Sequence, residues 1–183
     1  MDRPKPSCMP ADYLPYDISQ SDIPPFANYG EGYRFHVTGL YHSADGFPTG
    51  DTKFIQESNK RLISKVEKDK DKIWKDEEFY LDDAEIGLFA YGISAKSAKF
   101  AVKELRKKGI KAGLLRPLTI WPFPDNAVEE MAKQVKRIIV PEMNLGQIVH
   151  EVKRAAGGRC EVEGIFKVDT EPIHPSQIID AIQ

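Results

Sequence analysis

The sequence predicts an α/β protein: a three-layer α/β/α sandwich with a mostly parallel sheet, preceded by an extended arm and a long helix. Two observations predict the sandwich. From residue 84 onward, short apolar segments alternate with segments of helical periodicity, and glycines separate several of them. Such alternation favours a parallel sheet covered by helices on both faces. A third observation predicts the arm, because seven of the 13 prolines lie in the first 50 residues.

Residues 1–50 are predicted to form an extended arm rich in proline and aromatic residues. Proline interrupts helices and central strands, so this segment does not form a compact domain by itself. It is also too aromatic for a solvated linker. We therefore expect its rings to lie on a protein surface, of this chain or of another. Residues 33–40 alternate enough for a short strand. The rings are those of Tyr13, Tyr16, Phe26, Tyr29, Tyr33, Phe35, Tyr41 and Phe47.

The segment 51–78 is predicted to be a long connecting helix, with residues 51 to about 76 helical. Its apolar residues fall on one stripe, with spacings of seven, four and seven. The remaining positions carry lysine and acidic residues that alternate in sign. We interpret this as a solvated helix face rather than a basic patch. The stripe consists of Ile55, Leu62, Val66 and Ile73.

The α/β domain is predicted over residues 79–183, and its first half contains two strands. Residues 84–91 form the first strand, and Ser94 is suited to cap the helix that follows. Gly109 is suited to end that helix in a left-handed conformation. Residues 110–115 form the second strand, and a proline-rich bend follows over residues 116–124.

The second half of this domain continues the alternation. A helix is predicted to start near Asn126, with Glu129 at capping-box spacing. Strands are predicted over 137–140 and 160–168. Between these strands, residues 144–147 have the spacing of a helix start, and two glycines end that helix at 157–158. The closing helix covers 174–182, with Pro175 at its first position.

Composition and cysteine content exclude several classes of protein. The formal net charge of −2 offers none of the basic excess typical of nucleic-acid binders. Cys8 and Cys160 cannot form a disulfide framework, match no zinc spacing and are too few for an iron–sulfur cluster. We expect free thiols in a reducing cytoplasm. Residues 1–6 lack the apolar stretch of a signal peptide, and no apolar run is long enough for a membrane helix.

The sequence contains no self-sufficient catalytic motif. There is no phosphate-binding loop, no Gly-x-Ser-x-Gly elbow and no His-Glu-x-x-His pair. Gly30 and Gly32 lack the third glycine of a dinucleotide fingerprint and do not join a strand to a helix. His36 and His42 have no evident further ligands for a metal. We therefore predict no catalytic residue and no metal ligand.

Four residues near the predicted carboxyl ends of strands are candidates for ligand or interface contacts, since ligands of open α/β sheets bind at these ends. Arg116 can bind a carboxylate or phosphate, or can pair with an acidic residue and hold the bend. Glu142 and Asn144 can contact a ligand, although Asn144 with Gln147 also suits helix capping. Trp121 is either buried against the arm or an interface anchor.

Several stretches resemble the α subunit of 2-oxoacid:ferredoxin oxidoreductases, especially those of the 2-oxoglutarate type. The match covers essentially the whole chain, in order, but only the C-terminal part of such a subunit. In that family the α subunit is longer and begins with a thiamine-pyrimidine domain. The matching stretches are residues 11–16, 24–27, 33–42, 114–124 and 140–147.

The resemblance implies a transketolase C-terminal-like domain with a five-stranded mixed sheet, whose main role is to support assembly. The family decarboxylates a 2-oxoacid oxidatively to acyl-coenzyme A and CO2, with ferredoxin as electron acceptor. It implies thiamine diphosphate, magnesium and an iron–sulfur cluster in the assembled complex, with none bound by this chain alone. The implied partners are the thiamine-pyrimidine portion and the cluster-bearing β subunit. The resemblance also implies that this chain is not active alone and that the substrate is 2-oxoglutarate.

Two other interpretations stay open at this stage. The chain can be a stand-alone module that binds a small anion, such as coenzyme A or a nucleotide, near Arg116 and Glu142. It can also be an independent enzyme of an unrelated class, which the missing motifs disfavour. Neither interpretation involves nucleic acid or a membrane.

Overall fold

A computed structural model describes residues 4–183. The expectation that residues 1–6 are not a signal peptide falls partly outside these residues. The chain divides into two compact units, Met1–Asp69 and Lys70–Gln183, and each is described by itself. The predicted domain boundaries at residues 50 and 78 stay predictions.

The first unit contains a short 3-10 helix, Pro10–Asp12, and helix α1, Thr52–Lys68. Helix α1 begins after Asp51, whose carboxylate accepts hydrogen bonds from the backbone N–H groups of Lys53 and Phe54. The predicted strand over residues 33–40 is wrong, because these residues pair with no other segment. Alternation of side chains alone does not supply a neighbouring strand for backbone hydrogen bonds.

The predicted helix over 51–78 is also too long. Helix α1 ends at Lys68, a single turn α2 covers Lys70–Ile73, and strand β1 covers Asp76–Phe79. Strand β1 pairs antiparallel with a later strand, with Asp76 opposite Pro117. It lies at the edge of the sheet, where charged side chains reach solvent and oppose pairing with another chain. An acidic strand without apolar alternation gives little signal in the sequence.

The second unit is built on a five-stranded mixed sheet in the order β1-β3-β2-β4-β5. The further strands are β2 (Ile86–Phe89), β3 (Ala112–Pro117), β4 (Arg137–Glu142) and β5 (Glu161–Phe166). Strands β2 to β5 are parallel, and β1 alone is antiparallel within this sheet. The predicted, mostly parallel five-stranded sheet is therefore confirmed.

Four helices cover the two faces of this sheet: α3 (Gly92–Lys107), α4 (Asp125–Gln134), α5 (Ile148–Ala156) and α6 (Pro175–Ile182). Side chains of β2, β3, β4 and β5 alternate between two apolar clusters, so Leu88 faces one and Phe89 faces the other. Helices α3 and α6 belong to the cluster of Leu88, and α4 and α5 to the cluster of Phe89. The three-layer sandwich is confirmed.

The helix ends differ in part from the predicted caps. Ser94 lies buried inside α3 rather than at its start, and α3 ends before Gly109, whose φ of 80° is left-handed. Helix α4 follows Pro124 and shows no side-chain cap. The predicted capping box of residues 126 and 129 is therefore wrong, because the helix already begins at Asp125. A capping box does form at α6, between His174 and Gln177.

Candidate functional site

The candidate site lies where the chain direction across the sheet reverses. From β2 the chain passes to β3 on one side, and it later reaches β4 on the other side of β2. Ligands of open α/β sheets bind at the carboxyl ends of the strands at such a point. Tyr91 follows β2, Glu142 is the last residue of β4, and Asn144 comes two residues later. Two of the four candidates from the sequence are thus adjacent.

The carboxylate of Glu142 is the centre of this site. It is 0% exposed, and both of its oxygens accept hydrogen bonds. Oε1 accepts from the Tyr91 hydroxyl at 3.0 Å, from the Asn144 amide at 3.1 Å and from the Ile148 backbone N–H at 2.9 Å. Oε2 accepts from the Val149 backbone N–H at 2.9 Å. Every donor belongs to the chain itself.

This arrangement places an internal anion at the start of α5. The first N–H groups of a helix lack partners within the helix, and the helix dipole favours negative charge there. Glu142 supplies that charge from the end of β4. The position that an external anion takes at many helix N-termini is therefore occupied by this side chain.

Tyr91 is held in its neutral form beside Glu142. Burial, the hydrogen bond to the Glu142 carboxylate and the charge of that carboxylate, in this order of size, together raise the pKa of the Tyr91 phenol to about 12. The phenol oxygen also accepts a hydrogen bond from the Asn144 amide at 3.2 Å, which acts in the opposite direction. At neutral pH Tyr91 is thus a donor to Glu142. Tyr91 is the last residue of the strand predicted over 84–91, but it was not among the four candidates from the sequence.

Asn144 connects the carboxylate to the turn before α5. Its Oδ1 accepts from the backbone N–H groups of Gly146 at 2.7 Å and Gln147 at 3.1 Å. Helix α5 itself begins later, at Ile148. Asn144 therefore caps the turn and not the helix, and contact with a ligand stays a prediction for Asn144 and Glu142.

Arg116 lies on β3, opposite Glu77 of β1. Its Nη1 atom donates to Oε2 of Glu77 at 2.9 Å, which is the acidic pairing considered from the sequence. Its Nε atom is buried and has no hydrogen-bond partner. Arg116 is thus separated from the Glu142 network by the intervening strand β2. The structure does not bring it together with Glu142 and Asn144.

Trp121 lies in the bend after β3 and is 60% exposed. The peptide bond between Trp121 and Pro122 is cis. Phe123, in the same bend, faces inward, with its ring centroid 5.8 Å from that of the buried Phe89. The two aromatic residues therefore differ in role: Phe123 anchors the bend to the core, and Trp121 reaches solvent.

Trp121 belongs to a larger apolar surface at the carboxyl edge of the sheet. The second unit exposes ten large hydrophobic side chains among its described residues, and seven of them lie at the ends of β2, β3, β4 and β5 or within four residues after them. We call these seven the carboxyl-edge surface: Ile93, Leu118, Ile120, Trp121, Leu145, Phe166 and Val168. Contiguous exposed apolar surface of several hundred Å² is typical of interaction sites.

Residues 4–183 contain neither a metal-ligating cluster nor a membrane-spanning helix. No three His, Cys, Asp or Glu side chains within residues 4–183 are placed to hold a metal ion. No helix in this part of the chain is both long and apolar enough to span a bilayer.

Comparison with known protein families identifies the family to which the second unit belongs. Residues 84–178 match the family model described as pyruvate:ferredoxin oxidoreductase core domain II. The chain belongs to this family. The resemblance stated from the sequence is confirmed, and the matched residues include strands β2 to β5 and the whole candidate site at Tyr91 and Glu142.

Individual relatives agree with this family. A "2-oxoglutarate synthase subunit KorA" of Methanothermobacter thermautotrophicus is 36% identical over 97% of this chain and 47% of its own length. The protein of the same name from Methanocaldococcus jannaschii is 36% identical over 100% of this chain and 48% of its own length. A "ketoisovalerate oxidoreductase subunit VorB" of Methanothermobacter marburgensis is 42% identical over 58% of this chain. The chain spans about half the length of the KorA relatives.

A solved structure supports the fold. A 2-oxoglutarate:ferredoxin oxidoreductase from Magnetococcus marinus, with 2-oxoglutarate, coenzyme A and succinyl-CoA bound, superimposes with a TM-score of 0.78. The match covers 98% of this chain and 31% of that chain, at 22% sequence identity. At this identity the match establishes a shared fold.

Proposed function

We propose that this chain is the C-terminal part of the α subunit of a 2-oxoacid:ferredoxin oxidoreductase and that its role is to support assembly. One observation carries the proposal. The sheet edge at which ligands of α/β proteins usually bind is apolar here, and its central acid, Glu142, has both oxygens bonded within the chain. Such an edge suits a protein interface better than a site for a charged ligand.

The energetics of the carboxyl-edge surface agree with an interface. Burial of apolar surface contributes about 25 cal/mol per Å², and a large aromatic side chain is a frequent anchor of protein interfaces. Trp121 is held on a proline-rich bend whose base is packed through Phe123. A rigid support lowers the entropy lost when such a side chain is immobilised on binding.

We assign the cofactors of the proposed reaction to the assembled enzyme. Thiamine diphosphate with magnesium would supply the decarboxylation chemistry, and an iron–sulfur cluster of a partner would transfer electrons to ferredoxin. We propose a cytoplasmic hetero-oligomer with the thiamine-pyrimidine portion and a cluster-bearing β subunit, in which this chain positions the others. The proposal is supported by the KorA relatives, which are named as subunits.

We propose 2-oxoglutarate as the substrate, with coenzyme A as the acyl acceptor. The KorA relatives, which are named 2-oxoglutarate synthase subunits, match this chain over nearly its whole length. Two relatives named ketoisovalerate oxidoreductase subunit VorB match over 70% and 58% of it. The longer match supports the first substrate over a branched-chain 2-oxoacid.

Reconstitution tests the proposal. This chain is mixed with the thiamine-pyrimidine portion and the β subunit, supplied with thiamine diphosphate, magnesium, coenzyme A and 2-oxoglutarate, and reduction of a viologen dye is followed. We expect activity that requires this chain, together with co-elution on a sizing column. Trp121→Ser is expected to weaken the complex about tenfold or more. Phe100→Ser is the matched control, since Phe100 is an exposed aromatic residue on α3, outside the carboxyl-edge surface.

Two outcomes would contradict the proposal. One is equal activity with and without this chain, with no co-elution. The other is equal weakening of the complex by the Trp121 and Phe100 variants, because the carboxyl edge would then have no special part in it.

The second candidate is a module that binds a small anion such as coenzyme A or a nucleotide at the strand ends. The observation that favours it is the buried, unpartnered Nε atom of Arg116. Against it, Glu142 already fills the anion position at the start of α5. Thermal-shift titration with coenzyme A and ADP tests it, because a ligand of the folded state raises its apparent stability. A saturable shift that Arg116→Gln abolishes would favour this candidate.

A further inference from the structure

The first unit contains a groove between the arm and α1 that is suited to bind a partner. Its volume is about 240 Å³. Apolar side chains of both segments form its walls, and Arg61 and Lys65 of α1 lie among them. We call it the Arg61 groove; its lining includes Phe26, Tyr41, Phe54, Arg61, Leu62 and Lys65.

The guanidinium of Arg61 is fixed but only partly used. Its Nη1 atom donates to the backbone carbonyl of Asp22 at 2.8 Å. Its Nε atom is buried and lacks a hydrogen-bond partner. A guanidinium carries five N–H donors, so most of those of Arg61 are unused within the described residues, and Arg61 lines the groove. A carboxylate is the acceptor that best suits a guanidinium.

The charges around the groove favour an anion. Among the described groups, Arg61, Lys65 and Lys68 act together on one carboxylate, that of Asp22, and lower its pKa, with the Lys68 hydrogen bond as the largest cause. Lys68 binds that carboxylate directly at 2.8 Å. Of these three cations, only Lys68 forms an ion pair with an acidic side chain among the described residues, and no acidic side chain lines the groove.

A neighbouring cavity indicates on which side of the groove an anion would bind. It has a volume of about 340 Å³ and shares Arg61 and Phe54 with the groove. It is lined by Asp17 and Glu57, which disfavour a further negative charge. We therefore expect an incoming carboxylate to bind at the end of the groove that is lined by Lys65.

We propose that the Arg61 groove receives an aspartate or glutamate side chain, flanked by apolar residues, from a partner protein. Apolar residues are expected beside the acidic side chain of the partner, because Tyr41, Phe54 and Leu62 in the walls of the groove are exposed large hydrophobic side chains. Tyrosine and arginine are enriched among the residues that dominate interface affinity. The groove volume of about 240 Å³ lies below the range of about 300–1,000 Å³ typical of small-molecule pockets, so the groove suits a single side chain of a protein segment better than an enclosed metabolite. The assignment of this acidic side chain to a partner protein rests on the assembly role proposed above.

The groove chemistry is tested on the 183-residue chain without any partner. The probes are 3-phenylpropanoate as a surrogate for the acidic segment, its neutral amide, and acetate. The readout is nuclear magnetic resonance of the Arg61 Nε–H group and of the α1 backbone. We expect a saturable shift with 3-phenylpropanoate and binding at least tenfold weaker for the amide and for acetate.

A charge-matched pair of variants provides the control. Arg61→Gln is expected to weaken binding of 3-phenylpropanoate at least tenfold. Lys60→Gln removes the same charge from α1 at an exposed residue outside the groove lining and should leave binding unchanged. Equal binding of acid and amide, or no shift with any probe, would overturn the proposal, and neither result depends on whether Arg61→Gln folds.

A separate experiment, in the reconstituted complex, tests whether the acidic side chain belongs to a partner subunit. We expect Arg61→Gln to weaken co-elution at least tenfold and Lys60→Gln to leave it intact. Equal co-elution of both variants would overturn the inference and leave the proposed assembly role standing. Binding of the acid by a chain that enters no complex would instead contradict the proposed assembly role.

Discussion

At the scale of single residues, Glu142 explains most about the candidate site. It joins the end of β4, the start of α5 and, through Tyr91, the end of β2. A buried carboxylate is stable only when its charge is compensated by several donors, and here backbone N–H groups supply two of them. The acid therefore fixes the geometry of the sheet edge, which the exposed apolar residues then surround.

Glu142→Gln is expected to lower the free energy of unfolding by about 3 kcal/mol. The amide group of glutamine would face a backbone N–H that now donates to a carboxylate oxygen. Urea unfolding at neutral pH measures the change. Glu130→Gln is the control, since Glu130 is exposed and pairs only with Lys133, and its effect should stay within about 0.5 kcal/mol. Equal effects of the two variants would contradict the role given to Glu142.

Tyr91 gives the site a pH dependence in the alkaline range. Its pKa is raised from 10.0 to about 12 in the folded state. The unfolded state therefore loses this proton first, so the stabilisation is complete below pH 10 and is lost as pH rises toward about 12. We expect one tyrosine to ionise late in an absorbance titration, and Tyr91→Phe to remove it. A late tyrosine that persists in this variant would contradict the assignment.

The sequence indicated part of this site. The spacing of Asn144 and Gln147 predicted a helix start, and the structure has a turn capped by Asn144 there, with α5 beginning at Ile148. Glu142 was singled out by its place after a buried strand. The role of Tyr91 was not visible, because its partner is 51 residues away and the two meet only through the order of the strands. Likewise, the pairing of Arg116 with Glu77 depends on β1, a strand that the sequence did not predict.

At the scale of helices and strands, glycines set how closely neighbouring elements approach. In β3, a Cβ on Gly113 would come within 2.5 Å of the Tyr80 carbonyl oxygen and 2.9 Å of Ala84. In β2, a Cβ on Gly87 would meet the sulfur of Met131 at 2.8 Å. The first obstacle is backbone and the second is a flexible side chain that can move.

Gly113→Ala is therefore expected to destabilise the protein more than Gly87→Ala. We expect a loss of about 2–3 kcal/mol for the first and less than about 1.5 kcal/mol for the second. Thermal and urea unfolding of both variants make the comparison, with each serving as the control for the other. A larger loss for Gly87→Ala would show that the approach of residues 80–84 to β3 is looser than described.

Elements with a buried apolar face were predictable, and elements without one were not. Strands β2 to β5 and helices α3 to α6 were all expected from the sequence, by apolar patterns, capping spacings, glycines and Pro175, with boundaries shifted by a few residues. Strand β1 was placed inside a helix because Asp76, Glu77 and Glu78 carry no apolar alternation. Its position depends on hydrogen bonds to β3, a tertiary contact that local sequence does not encode.

At the scale of the whole molecule, the two units differ in how their apolar residues are used. Both apolar clusters lie within the second unit. Among the described residues of the first unit, Tyr13 is the buried hydrophobic residue, while thirteen large hydrophobic side chains are exposed. The arm predicted from the sequence to cover a protein surface thus has little core of its own, and this agrees with the proposed assembly role.

We expect a fragment of residues 70–183 to fold by itself. Its sheet and both apolar clusters are complete within it, so it should unfold cooperatively. Circular dichroism and urea unfolding test this. Residues 4–69 alone are the comparison and should lack a cooperative transition. A fragment 70–183 without stable structure would contradict the division into units.

The central claim is that the carboxyl edge of the sheet is an interface, and amide hydrogen exchange of the reconstituted complex tests it most directly. Residues at an interface exchange more slowly when the partner is bound. We predict that the partner subunits protect residues 118–121, 143–147 and 166–168, and leave the opposite sheet edge around residues 109–111 and 136 unchanged. Protection confined to the opposite edge or to the outer faces of the helices would contradict the account.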